Sequence, residues 1–173
     1  MIKIHTSNLK KIIPTLCAGD TVQLSGIVYT ARDAAHAKIC KMIENGDELP
    51  FELDGAVIYY AGPTPAKEGM PIGSCGPTTS SRMDKFTPTL LGRGLCAMIG
   101  KGKRSDDVIS AMKKAGAVYF CAIGGAGALA ARCVRKAEIV AFPELGCEAV
   151  RRIEVENFPL IVGIDSHGNS AVK

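Results

Sequence analysis

The sequence has no tryptophan, and its four tyrosines and five phenylalanines make up only 5% of 173 residues. Apolar residues still reach 47%, so a sizeable core can form and the missing indole excludes nothing by itself. No apolar run is long enough to span a bilayer, which argues against a helical membrane anchor. The opening, Met1-Ile2-Lys3-Ile4-His5-Thr6, turns polar at once and lacks the pattern of a secretory leader. Repeats, low-complexity tracts and Pro- or Ser-rich linkers are missing, and the length suits one domain over residues 1–173. A long basic stripe is also absent. The densest group, Lys101, Lys103 and Arg104, is too short for a nucleic-acid surface, whereas a net charge of +4 suits small anionic substrates.

The seven cysteines, an odd number, contain no pair at the short spacing of a zinc or iron–sulfur loop. That leaves only a site assembled from distant thiols, and no metal ligand is assigned in this chain. Reduced thiols in a cytoplasmic compartment are the simplest reading, most of them as small core residues.

What the chain does have is Gly76-Pro77-Thr78-Thr79-Ser80-Ser81-Arg82-Met83-Asp84. A Gly-Pro turn fixes the backbone path and presents the residues that follow. Two adjacent hydroxyls and an arginine then form the floor of an anion site, because a guanidinium can grip a carboxylate with two parallel hydrogen bonds. The plainer alternative is an ordinary turn and helix cap. Two further polar clusters follow strand-like runs. Thr30-Ala31-Arg32-Asp33-Ala34-Ala35-His36 comes after Val22–Tyr29, and Gly100-Lys101-Gly102-Lys103 after Met98-Ile99. Ligands bind at the carboxyl edge of α/β sheets, so Arg32, Arg82 and Lys101 are expected around one pocket with Thr78 and Thr79 between them. Lys101 taken alone reads as a solvated loop lysine.

Strands are expected at Thr21–Tyr29, Ala56–Tyr60, Cys96–Ile99, Ala117–Ala122, Glu138–Phe142 and Leu160–Ile164. Helical spacing runs over Arg32–Asn45, with Asn45-Gly46 as the stop. The clearest helix is Ser105–Lys114. Ser105 caps it, Asp106 and Asp107 sit in its positive first turn, Lys113 and Lys114 in its negative last turn, and Gly116 follows. Pro88 either starts a helix or kinks one begun at Arg82. Residues 62–76, with three prolines and four glycines, read as a long loop or hairpin delivering Thr78. Alternating strands and helices give an α/β domain.

These segments resemble the C-terminal domain of class I fumarases, in the form found as a separate β subunit. The resemblance rests on Tyr29 to His36, Tyr59-Tyr60-Ala61-Gly62-Pro63, Gly76 to Asp84, Gly100-Lys101-Gly102, Gly124-Gly125-Ala126-Gly127-Ala128, Glu144-Leu145-Gly146 and Asp165-Ser166-His167-Gly168-Asn169. It covers nearly the whole chain. The β subunit of L-tartrate dehydratase shares the Gly-Pro-Thr-Thr and Gly-Lys-Gly pieces. It tends to differ at Ala31 and Ala34-Ala35 and usually lacks the Tyr-Tyr, which favours fumarase.

The resemblance implies a swivelling β/β/α domain, three layers with a mixed sheet. It implies a hydro-lyase that converts fumarate and L-malate, with Arg32, Arg82 and Lys101 on the substrate carboxylates and Thr79 also holding the substrate. Thr78 would be the general base, a role that physical chemistry alone would not assign to a threonine. From their places beside the arginines, and not from the resemblance, Asp33 is expected to orient Arg32 or cap the helix, and Asp84 to hold Arg82. The family's [4Fe-4S] cluster, its three cysteine ligands and the catalytic acid lie in the N-terminal domain, which nothing here matches. The chain should therefore need an α subunit and be inactive alone. An assembly of two α and two β subunits is the family expectation, with a β homodimer possible for the isolated chain. His36 is read as a capping or packing histidine, Asp165 to Asn169 as a structural turn, and His5 as without function. Two other readings stand beside this one. A stand-alone anion- or nucleotide-binding module would use Gly124 to Ala128 at a helix start, against close packing of that loop. A scaffold subunit would have no catalytic residues.

Overall fold

The computed structural model describes all residues except 124–126. Its seven strands in chain order are β1 (Ile2–His5), β2 (Thr21–Thr30), β3 (Val57–Tyr59), β4 (Ala97–Gly100), β5 (Val118–Cys121), β6 (Val134–Ala141) and β7 (Val150–Ile164). The helices are α1 (Leu9–Ile12), α2 (Asp33–Asn45), α3 (Thr87–Leu91), α4 (Asp106–Ala115) and α5 (Gly127–Arg132), with short 3₁₀ turns between them.

The strands form one mixed sheet. β1 to β5 are mutually parallel, and the long β7 runs antiparallel to β2, β5 and β6. Because β7 pairs with β2 as well as with β5, the run β2-β3-β4-β5-β7 closes on itself. Side chains alternate between two cores, as the pleat requires. Val57, Tyr59, Ala97, Ile99, Val118 and Phe120 enter one. Ile58, Tyr60, Met98 and Tyr119 enter the other, together with Ala35 and Ile39 of α2, Leu90 of α3 and Met112 of α4. Burial on both faces explains why β3, β4 and β5 read as unbroken apolar runs.

Helix signals in the sequence translate directly. Ser105 Oγ accepts the Val108 amide at 3.3 Å, and Gly116 closes α4 in the left-handed region. Gly46 closes α2 in the same way. Pro88 lies in the first turn of α3, a separate helix after a 3₁₀ turn at Ser80–Met83, so it does not kink one long helix.

Loop 62–76 is a pinched excursion held by Thr64 and Ser74, whose backbone bond spans 3.0 Å. Asp165 is buried and accepts from the amides of Ala18, His167 and Asn169 and from the Asn169 side chain. That makes residues 165–169 a structural turn, with His167 exposed. Burial raises the Asp165 pKa, but these donated bonds outweigh it and hold the carboxyl below its usual range.

The cysteine expectation needs correcting. All seven thiols are free, but only Cys75 and Cys96 are core residues, their pKa values pushed by burial up to about 12 and about 11. Cys40, Cys121 and Cys133 are half-buried, and Cys17 and Cys147 are exposed. Among the described residues, no helix is long and apolar enough to cross a membrane.

Candidate active site

Parallel pairing brings the ends of β2, β3 and β4 to one sheet edge, and the sequence-predicted residues follow from those ends. Arg32 caps α2 two residues past β2, and Lys101 directly follows β4. Thr78 and Thr79 return to the same edge through backbone bonds. The Thr78 amide donates to the Tyr60 carbonyl at 2.7 Å, Thr79 bridges to Lys101 in parallel register, and the Ser80 amide donates to the Lys101 carbonyl at 2.9 Å. The Ala31 amide donates to the neighbouring Tyr59 carbonyl at 3.1 Å. Residues 32 and 78 therefore leave from adjacent carbonyls at the end of β3. Gly100 permits this close approach, since a Cβ there would overlap Ser80 Oγ and come within 2.8 Å of the Tyr60 ring.

Thr78 is half-buried, while Thr79, Arg82 and Lys101 are exposed. Among the described residues, neither Arg82 nor Lys101 has an ion-pair partner within 4.0 Å, so both cationic heads are available to a ligand. Arg82 lines an open depression of about 600 Å³ with Asp33, Ser81, Asp84 and Lys85. Asp33, next to Arg32, thus shares a surface with Arg82. Thr78, bonded to Tyr60, and Thr79, bridged to Lys101, do not line this depression, nor does Lys101.

Arg32 is held on two sides. Its guanidinium lies 3.8 Å from Asp33 Oδ2, and its Nε lies 3.9 Å from Glu148 Oε1. Among the described residues, neither Nε nor Oε1 has a hydrogen-bond partner. Glu148 ends the turn Pro143–Glu148, which Arg151 ties down through the carbonyls of Gly146, Cys147 and Ala149. Sequence reasoning did not single out Glu148, because its partner is more than a hundred residues away.

His36 packs as expected. It is fully buried on α2 against Tyr60 and Phe86, and Nδ1 bonds the Arg32 carbonyl at 2.8 Å. That bond makes it the Nδ1–H tautomer, donating to the residue that caps the helix. Burial lowers its pKa from 6.5 to about 4 and the Arg104 charge adds to this, against the raising effects of the Arg32 carbonyl bond and of Asp33. The unfolded chain takes up a proton below pH 6.5 that the folded chain refuses until about pH 4. Stability is therefore full above pH 6.5 and declines on acidification toward pH 4, by about 3 kcal/mol from this one group. His36→Asn should flatten that acid limb of thermal stability, and an unchanged slope would contradict the assignment.

Asp84 does not hold Arg82. Its carboxylate accepts Arg104 Nε at 2.7 Å and the Ser105 amide at 2.8 Å. A guanidinium that is wholly buried outcompetes an exposed one for this carboxylate, because solvent cannot replace the bond it would lose. Arg104 Nη2 also donates to Thr87 Oγ1 at 2.8 Å and to the Tyr60 hydroxyl at 3.2 Å. Burial alone would lower the Arg104 pKa, but Tyr60 and Asp84 raise it further, so the group stays charged. Beside it, Tyr119 donates to the Gly102 carbonyl at 2.9 Å and so accepts from Ser80 Oγ, also at 2.9 Å.

Of the residues taken to separate fumarase from tartrate dehydratase, Ala34 is half-buried and the others lie away from the surface. Ala31, Ala35, Tyr59 and Tyr60 are all buried. They shape the site from behind and give no direct reading of substrate. Of the stretch Gly124 to Ala128, residues 124–126 lie outside the described residues. Gly127 packs closely on residues 74–76, where a Cβ would come within 3.1 Å of the Gly76 nitrogen. Among the described residues, no three His, Cys, Asp or Glu side chains gather as a metal-holding group.

The model of the fumarase C-terminus matches residues 1–173. Fumarate hydratase 2 of Leishmania major is 44% identical over 153 residues, which is 87% of this chain and 27% of that protein. The anaerobic class I fumarate hydratase of Escherichia coli (strain K12) is 44% identical over 150 residues, 86% of this chain and 27% of that protein. The chain thus spans about a quarter of these relatives. A putative L(+)-tartrate dehydratase subunit beta from Methanocaldococcus jannaschii is 43% identical over 167 residues, covering 93% of this chain and 86% of that protein.

Proposed function

This chain belongs to the fumarase C-terminus family, and on that premise we propose that it is the β-type subunit of an iron–sulfur hydro-lyase that adds water reversibly to fumarate, giving L-malate. The observation that carries the reading is the meeting of Arg32, Thr78-Thr79 and Lys101 at one sheet edge, with Arg82 four residues beyond Thr78. A dicarboxylate needs fixed cations at both ends, and arginine supplies a planar, permanently charged fork. In the dehydration direction a proton leaves the carbon next to a carboxylate. The resulting negative charge spreads onto oxygens that Arg32, Arg82 and Lys101 meet with donors already in place.

Thr78 Oγ takes that proton, and returns it during hydration. The nearby cations favour its deprotonated form, and its backbone is fixed by the Tyr60 carbonyl. Thr79, on the exposed side, orients the substrate. The α-type partner carries the [4Fe-4S] cluster and, when bound, the cluster supplies the Lewis acid toward the substrate hydroxyl. The partner closes the open face against Arg32, Arg82 and Lys101. Free thiols suit a reducing, cytoplasmic setting, and an assembly of two α and two β chains fits a subunit of this kind.

The tartrate dehydratase β reading remains a specific second one. The Methanocaldococcus subunit is matched over most of its length at an identity nearly equal to that of the fumarases. A panel of fumarate, L-malate and L-tartrate, offered to this chain assembled with its cluster-bearing partner, separates them. Turnover of fumarate and malate well above tartrate is expected, and the reverse order would make the chain a tartrate dehydratase subunit.

A further inference from the structure

We propose that the buried pair Arg104–Asp84 is a positioning device that sets the Thr78–Arg82 segment against the Lys101 loop, and thereby governs turnover without touching substrate. The inference rests on the functional reading above.

The Arg104 side chain is wholly buried, so it cannot reach a ligand itself. Its partners come from separate parts of the chain that must all be in register at the site. Asp84 ends the 3₁₀ turn that follows Thr78-Thr79, Thr87 opens α3, and Tyr60 extends β3 and offers the carbonyl that anchors Thr78. Arg104 also lies three residues past Lys101, on the loop whose carbonyl holds the Ser80 amide. Asp84 closes the arrangement by also accepting the Ser105 amide at 2.8 Å.

A buried ion pair is a weak way to gain stability, because desolvation consumes most of the attraction. It is an effective way to enforce one arrangement, since no alternative satisfies both charges. Arg82 and Lys101 have long exposed side chains that can follow a displaced carboxylate. Thr78 must lie within hydrogen-bond reach of one proton, where a shift of about 1 Å costs turnover heavily. Losing the clamp should therefore lower kcat far more than it raises KM.

The test uses Arg104→Lys, Asp84→Asn and the double variant Arg104→Met with Asp84→Asn, each assembled with the cluster-bearing partner. A fall in kcat of about 10- to 100-fold is expected for folded variants, with KM for fumarate within about 3-fold of the parent. Hydrogen exchange at the Thr78 and Ser80 amides should quicken, which does not depend on catalysis. Lys136→Ala, which removes an exposed contact with Glu154, should leave both unchanged. If the arginine variants fail to fold, Asp84→Asn decides, because it keeps the acceptor for Ser105. A folded variant with kcat within about 3-fold of the parent overturns the proposal. A parent assembly that turns over no hydroxy-dicarboxylate would defeat the functional reading instead, and amide protection unchanged in Asp84→Asn would then defeat this inference on its own.

Discussion

Replacing Thr78 with Ala should lower turnover of the assembled enzyme by at least ~10²-fold, the usual worth of a general base. The substitution is clean. The bond that positions residue 78 is its backbone amide to the Tyr60 carbonyl, which alanine keeps. Among the described residues the Thr78 hydroxyl has no hydrogen-bond partner, so removing it breaks no internal bond. Thermal unfolding should hardly move. Thr78→Ser keeps the hydroxyl and should restore most of the rate. Thr79→Ala should act mainly on KM, as expected of a residue that orients substrate. Near-parental turnover in Thr78→Ala would end the base assignment. Equal damage in the Ala and Ser variants would point to packing of the methyl group.

Arg82→Ala should reduce kcat/KM by about 10²- to 10³-fold, the cost of two charge-assisted hydrogen bonds to one carboxylate. Arg82→Lys keeps the charge and loses the fork, and should fall between the variant and the parent. Arg82 is exposed and, among the described residues, makes no ion pair or side-chain hydrogen bond, so stability should change by no more than about 0.5 kcal/mol. That separates it from Arg104, whose loss strips three polar partners of a buried donor. Intact activity in Arg82→Ala, measured as steady-state kinetics on fumarate, would favour a scaffold role for the chain.

The contrast between these two arginines shows what a single sequence reveals. Arg82 stands beside two threonines behind a Gly-Pro turn, so its neighbours announce it. Arg104 looks like one more cation in a basic loop, and its partners Asp84, Thr87 and Tyr60 are assembled only by the fold. For the same reason chain proximity pairs Asp84 with Arg82, whereas the fold pairs it with Arg104. Where stabilisation is local, sequence sufficed. Ser105, the acidic first turn, Lys113, Lys114 and Gly116 delimit α4 as observed.

Sheet elements fared less well. Four-residue β1 gains its order from pairing with β2 rather than from its own pattern. The sequence pattern predicts β7 only from Leu160, yet it begins at Val150. Shifts in its pairing register break the alternation, Asn157 has a positive φ, and Pro159 argues against a strand. β6 likewise starts at Val134, four residues before its expected start, with register shifts of its own. The closure of the sheet through β2 and β7 joins segments too far apart in sequence for any local pattern to reveal.

The most direct test compares the purified chain, alone and assembled with a cluster-bearing α-type partner, in one assay of fumarate hydration. The account predicts no malate from the chain alone and steady turnover from the assembly, because the proposed reading makes the cationic edge one wall of a cavity that a partner completes. Malate formed by the chain without partner or iron would contradict it.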